Sequence, residues 1–210
     1  MYCEPLCSSL KNKYLVNDFF IEREKEYMAW YEKTGEICGL AEYIRHYAWE
    51  ADLRNETRVY VVKSYFSHEI IAYFALKAGM VSLDSAVRNT EKEKIAKEQG
   101  IKLVPDTVSG IEISHFAIND NYRKHHHNIK GLGRYIYPSF IYPIINKCSK
   151  DIGIVLAYLY AADNSSDNSQ KLVEYYKDVF EFDVLADKEN ALKPVTSYYD
   201  SNCIFMYKIL

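Results

Sequence analysis

The run Asn128-Ile129-Lys130-Gly131-Leu132-Gly133-Arg134 is the most informative part of this sequence because of what lies on either side of it. A strand-like run, 111–118, precedes it, and an apolar segment of helical length that ends near residue 149 follows. Glycine lets a backbone come close to a ligand, and the free N–H groups of a helix N-terminus point at that ligand with the positive end of the helix dipole. The order of strand, glycine loop and helix therefore predicts a site for a diphosphate.

Composition limits the class of protein. The 210 residues suffice for one domain with a substantial core. Lys and Arg number 26 against 29 Asp and Glu, so bulk charge does not indicate nucleic acid. No apolar run approaches the ~20 residues that span a bilayer, and no signal peptide is evident. The five scattered cysteines favour reduced thiols. We expect a cytoplasmic protein that does not bind a membrane.

The spacing of apolar residues predicts the other elements. Residues 1–35 show no clear period and are expected to form a partly helical N-terminal arm. Helices are expected at 36–53, 84–100 and 172–179. Strands are expected at 59–62, 70–76, 111–118, 152–159 and 203–207, and the continuously apolar run 152–159 is typical of a strand covered on both faces.

At these residues the chain resembles the GNAT superfamily of acyl-CoA-dependent N-acyltransferases. The family loop has Gln or Arg followed by x-x-G-x-G, and Asn128-x-x-Gly131-x-Gly133 fills it with Asn at the first place. The run 112–118 looks like the family's fourth strand, E-I-x-x-x-A-I, and 175–182 is similar to a later Y-Y-x-x-x-G-F segment. The resemblance covers roughly residues 36–185.

The resemblance implies a fold, a cofactor and the contacts that hold the cofactor. The fold would be α/β (α+β), with a central mixed, mostly antiparallel, splayed sheet flanked by helices, in a single domain over 1–210. Acetyl-CoA would be the co-substrate, with no metal. Its predicted contacts are Phe116, Ala117, Ile118, Asn128, Ile129, Lys130, Gly131, Leu132, Gly133, Arg134 and Asn168, with Asn164 as the alternative to Asn168.

The resemblance also implies a general base and a general acid. Glu112 heads the strand motif and would remove the proton of the attacking amine, directly or through water. His115 is the alternative base, since an unperturbed imidazole has a pKa near 6.5. Tyr176 would protonate the leaving thiolate. Tyr175 is its rival, because the usual Gly before the final Phe is missing and the register is ambiguous by one residue.

Two features depart from the family pattern. Extra residues that include His125-His126-His127 separate the strand from the loop; three consecutive side chains diverge, so we expect a flexible loop rather than a metal site. Pro138 and Pro143 fall inside the following helix, where they are expected to kink it.

The favoured function is transfer of an acetyl group from acetyl-CoA to a primary amine of a small molecule or peptide. One alternative is a toxin-like aminoacyl-tRNA N-acetyltransferase, which the helix at 36–53 and the hairpin after it resemble. Binding tRNA would require a basic face, for which the candidates are Lys11, Lys13, Arg123, Lys124 and Lys130. A non-catalytic acyl-CoA-binding module is the other alternative. The oligomeric state stays open, with a homodimer as one option.

Overall fold

The structure is a computed structural model, and it describes residues 1–22, 28–31, 36–83, 95, 97–100, 107–162, 171–184, 192–194 and 203–210. The strands among these residues are β1 Tyr2–Pro5, β2 Met28–Tyr31, β3 Glu36–Gly39, β4 Arg58–Lys63, β5 Ile70–Leu83, β6 Thr107–Ile118, β7 Leu156–Ala162, β8 Asp183–Val184, β9 Leu192–Pro194 and β10 Cys203–Ile209. The α-helices are α1 Leu10–Leu15, α2 Leu40–Glu42, α3 Ala48–Leu53, α4 Asp120–His125, α5 Leu132–Ile136, α6 Tyr142–Ile152 and α7 Lys171–Phe180. Two π-helical segments, Tyr43–Tyr47 and Tyr137–Ile141, join α2 to α3 and α5 to α6.

The strands form one large sheet in the order β1-β4-β5-β6-β7-β10-β8, with β9 paired to β5. The pair β6–β7 is parallel, and the other described pairs in this sheet are antiparallel. The strands β2 and β3 form a separate antiparallel pair. The prediction of a mixed, mostly antiparallel sheet flanked by helices is confirmed. The extent of the domain, with its arm at 1–35, stays a prediction.

Side chains from both faces of the sheet are buried. In β5, Phe74 and Leu76 belong to one apolar cluster, and Tyr73 and Ala75 belong to the cluster on the opposite face. This alternation with a period of two residues is that of a strand covered on both sides. The helices that follow the glycine loop pack into the first cluster, where Ile136, Ile141 and Ile145 are fully buried. The second receives α2, α3 and the N-terminal segment.

Two boundaries differ from those expected from the sequence. Residues 36–39 belong to β3, and the helix expected from residue 36 begins only at Leu40, because Gly39 is extended and pairs with Met28. The strand expected at 152 begins at Leu156, because Gly153 adopts φ +72° and ends α6 there. The predicted charged helix at 84–100 lies largely outside the described residues.

The two prolines of the helical segment 132–152 lie where the α-helical pattern changes. Pro138 is in the π-helical segment, and Pro143 is at the start of α6. Proline has no N–H to donate to the carbonyl four residues earlier, so it interrupts the α-helical hydrogen bonds. The π-helical turn lies at this interruption, where the sequence predicts a kink. Among the described residues, no helix combines the length and apolarity needed to cross a membrane.

Candidate active site

The neighbouring strands β6 and β7 pair only at their beginnings. Their parallel register joins Gly110 to Leu156 and ends where Glu112 faces Tyr158, although β6 continues to Ile118. Beyond that point the strands part, and a cavity of about 750 Å³ lies against both. Its wall includes Ile113, Ser114, His115, Phe116, Ala117 and Ile118 of β6 and Leu159 and Tyr160 of β7. The splay expected from the resemblance is therefore present.

A β-bulge lies directly after the last β6–β7 pair. On the β5 side, Ala75 pairs with His115 and Leu76 pairs with Ile113, so Ser114 is an extra residue in β6. A bulge bends its strand and re-aims the side chains that follow it. After the bulge, Ala117 packs with the cluster of α2 and α3, while Phe116 and Ile118 pack with the opposite cluster.

The glycine loop meets the cavity at the start of α5. Gly131 is the N-cap of that helix with φ +71°, and a Cβ at this position would have no heavy atom within 4 Å. The first helical bond runs from the N–H of Tyr135 to the carbonyl of Gly131, so the preceding N–H groups lie outside the helical ladder. Lys130 and Arg134 are exposed and have no acidic partner among the described residues. Open space, free N–H groups and unpaired cations fit the diphosphate of CoA.

The second glycine of the loop lies against α7. A Cβ on Gly133 would approach the hydroxyl oxygen of Tyr175 to 2.7 Å. Tyr175 and Tyr176 both line the cavity. Burial raises the pKa of Tyr175, and the charges of Arg134 and Arg123 act in the opposite direction. The structure brings both candidate acids to the cavity, with the Tyr175 hydroxyl at the loop.

Glu112, the predicted base, is buried at the last β6–β7 pair and does not belong to the cavity lining among the described residues. It hydrogen-bonds with Tyr158. The pKa of that tyrosine is raised mainly by burial and secondly by the charge of the Glu112 carboxylate. Burial and the charge of Glu112 also raise the pKa of Tyr160, which does line the cavity. Glu112 thus lies at Tyr158 and outside the cavity lining, and its role as a base stays a prediction.

His115 lines the cavity and is 8% exposed. Its ring stacks on Tyr43 with a centroid distance of 3.7 Å and an interplanar angle of 9°. Burial, with a further contribution from the charge of Lys77, lowers its pKa from 6.5 to about 3, so the imidazole is neutral near pH 7.

Only some of the other residues predicted to contact CoA line the cavity. Among the loop residues, Ile129, Lys130, Gly131, Leu132 and Gly133 line the cavity; Asn128 and Arg134 are exposed beside them. Asn168 and its alternative Asn164 lie outside the described residues.

His126, the middle histidine of the three before the loop, contacts other side chains. His126 lies 4.2 Å from the ring centre of Tyr122 and 3.5 Å from a carboxylate oxygen of Glu69. In the part of the chain that the structure describes, no three His, Cys, Asp or Glu side chains converge on a metal position.

Several residues that the sequence did not indicate line the cavity, among them Tyr137 and Ser114. Tyr137 is buried in the π-helical segment, stacks on Phe180 with a centroid distance of 4.0 Å, and has a hydroxyl with no hydrogen-bond partner among the described residues. Ser114 and His115 are consecutive polar residues that break the alternation of the strand 111–118, and this break is a sequence signal for the bulge.

Comparisons with known proteins identify the fold. No protein-family model matches the sequence, and no curated protein does. A tyrosine-to-phenylalanine mutant of KacT matches with a TM-score of 0.61 and 12% identity, covering 99% of this chain and 94% of that one. AtaT complexed with acetyl-methionyl-tRNAfMet matches with a TM-score of 0.61 and 12% identity over 91% of each chain. AtaTR bound with AcCoA matches with a TM-score of 0.55 and 13% identity over 99% of this chain and 92% of that one. The chain has the GNAT fold, as the sequence predicts.

Proposed function

We propose that the protein is an acetyl-CoA-dependent N-acetyltransferase. The observation that carries this proposal is the parting of β6 and β7 next to a helix N-terminus whose cap, Gly131, is left-handed and open. The backbone of Phe116, Ala117 and Ile118 would pair with the pantetheine arm as an added strand, and the loop at 128–134 would hold the diphosphate. The likeness to AtaTR bound with AcCoA supports this choice of cofactor.

The bound thioester supplies an activated acetyl group, and the chain supplies the groups around it. A backbone N–H of β6 at the splay would stabilise the oxyanion. Tyr176 would protonate the thiolate, because the hydroxyl of its rival Tyr175 lies at Gly133. Glu112 would accept the proton of the amine through water, since it does not line the cavity.

For the acceptor we propose the α-amino group of an aminoacyl-tRNA. The sequence favoured a small-molecule or peptide amine, but the likeness to AtaT complexed with acetyl-methionyl-tRNAfMet supports the tRNA alternative better. Four exposed cations, Arg123, Lys124, Lys130 and Arg134, lie in or just before the glycine loop despite the negative net charge. Two of them form ion pairs, Arg123 with Asp120 at 2.9 Å and Lys124 with Glu22 at 3.4 Å. Such a local cluster can contact phosphates. This acceptor agrees with the expected cytoplasmic location.

The test is acetyl transfer from radiolabelled acetyl-CoA to methionyl-tRNA, with deacylated tRNA, lysine and a short peptide as parallel acceptors. We expect label on methionyl-tRNA only, with binding that weakens steeply as salt rises. Lys124→Gln should weaken tRNA binding, whereas Lys150→Gln, an exposed lysine on α6, should not. Transfer to the small amines instead would restore the first acceptor class. Tight acetyl-CoA binding with no transfer to any amine would favour a non-catalytic module.

A further inference from the structure

The bulge residue Ser114 connects the main chain of β5 to the imidazole of His115. The Ser114 hydroxyl donates to the carbonyl of Ala75 at 3.3 Å. The Nδ1 atom of His115 lies 3.1 Å from the same hydroxyl oxygen. The carbonyl, the hydroxyl and the imidazole thus form one small cluster at the point where the sheet splays.

The proton count of this cluster selects one form of the imidazole. A hydroxyl has a single proton, and the carbonyl of Ala75 can only accept. If Ser114 donates to Ala75, its oxygen must accept from Nδ1–H, and Nε2 of His115 is left with a lone pair. The opposite arrangement would leave a buried Nε2–H donor unpaired and would take the Ser114 proton from Ala75. An orphaned buried donor is the costlier of the two.

The surroundings hold the ring in one place, and no described protein group satisfies Nε2. Tyr43 stacks on the imidazole, and the ring of Tyr73 lies 6.5 Å away. The Nε2 atom is buried and has no hydrogen-bond partner among the described residues. The residue lines the cavity that would hold the acyl group. A buried acceptor without a partner, at a cavity wall, fits a ligand that carries an N–H or O–H donor.

We infer that Ser114 is a positioning residue that fixes His115 in the Nδ1–H tautomer, so that Nε2 accepts a hydrogen bond from an N–H of the acceptor amine. The identity of that donor rests on the proposed function. An amine must be uncharged to attack, and an α-amino group with a pKa near 7.7–8.0 is uncharged in part at neutral pH. A neutral acceptor orients this form through one N–H and leaves its nitrogen lone pair free.

The tautomer can be read directly in the protein without cofactor. Long-range ¹H–¹⁵N spectra of protein labelled in its histidine rings distinguish Nδ1–H from Nε2–H, and His115→Gln identifies the signal of this residue. We expect the Nδ1–H form in the wild type and its loss in Ser114→Ala. The matched control is Ser109→Ala, because Ser109 also lies on β6 and donates to a carbonyl, that of Gly153, at 2.8 Å. An Nε2–H form in the wild type would overturn the inference.

Kinetics with methionyl-tRNA test the consequence. Ser114→Ala should lower kcat/KM about tenfold, the worth of one hydrogen bond, while acetyl-CoA affinity measured by calorimetry is unchanged. Ser114→Thr restores a hydroxyl and should recover most of the loss, and Ser109→Ala should have no effect. Equal activity of Ser114→Ala and wild type would refute the role in orienting the amine. A wild-type protein that shows the Nδ1–H form but acetylates no amine would instead refute the proposed function.

Discussion

A Cβ on Gly133 would lie 2.7 Å from the hydroxyl oxygen of Tyr175 and 3.7 Å from the ring carbon that carries it. The hydroxyl alone therefore makes this position intolerant of a side chain. Gly133→Ala should displace α7 from the loop and lower both the melting temperature and acetyl-CoA affinity. Combining it with Tyr175→Phe removes the clash and should recover most of the loss. Additive effects of the two changes, measured in a double-mutant cycle, would contradict this contact.

The glycines at 131 and 153 form a natural matched pair. Both have φ near +71°, and neither would have a heavy atom within 4 Å of a Cβ. Val at either position should cost a similar stability of roughly 1–3 kcal/mol, because a β-branched residue is strained in the left-handed region. Only Gly131→Val should lose acetyl-CoA binding in calorimetry, since its side chain would enter the proposed diphosphate site. Loss of binding in Gly153→Val as well would point to a general effect of instability.

The two tyrosines of α7 should differ in their effect on turnover. Tyr176→Phe should slow acetyl transfer more than Tyr175→Phe, because the Tyr175 hydroxyl lies at the loop and both rings line the cavity. Single-turnover rates at saturating acetyl-CoA isolate this step from cofactor binding. A reversed order would move the assignment of the acid to Tyr175. Unchanged rates in both variants would mean that the thiolate leaves unprotonated or takes its proton from water.

Glu112→Gln should lower turnover by roughly 10²–10⁴, the usual effect of removing a general base, with cofactor affinity retained. Tyr158→Phe is the control, because it removes the hydrogen bond to Glu112 but keeps the carboxylate. If the two variants lose the same stability and keep the wild-type turnover, Glu112 is a buried structural partner of Tyr158. The pH–rate profile gives an independent check, since loss of a base should remove its acidic limb.

The sequence predicts the sheet and the loop well because short patterns determine them. Gly131 marks the start of a helix by its conformational freedom, and the apolar run of β7 shows that both of its faces are covered. Boundaries were less predictable. The apolar spacing from residue 36 suits a helix, but strand pairing between Gly39 and Met28 overrides it locally.

The candidate site was only partly predictable, because its geometry depends on pairing between distant strands. The bulge at Ser114 is defined by β5, and its hydroxyl meets a carbonyl 39 residues away. Motif matching therefore put weight on Glu112, which the fold places beside Tyr158, and less on His115, which the fold places in the cavity wall. Neither placement follows from residue spacing along one strand.

The buried imidazole of His115 should make stability depend on pH in a definite window. Its pKa is about 3 in the folded protein and 6.5 as a free group, because burial and the charge of Lys77 disfavour the cation, while Tyr43 covers one ring face. Between these values the unfolded chain binds a proton that the folded protein does not. The free energy of unfolding therefore has its full value above pH 6.5 and decreases as pH falls toward 3. The slope of this decrease approaches 1.4 kcal/mol per pH unit.

Denaturant unfolding between pH 5 and 6.5 measures this slope before most carboxylates titrate. His115→Gln should flatten the dependence, since glutamine does not titrate. His127→Gln, at an exposed position before the glycine loop, should leave it as in the wild type. A slope that is the same in all three proteins would show that His115 is protonated in the folded state as readily as in the unfolded one.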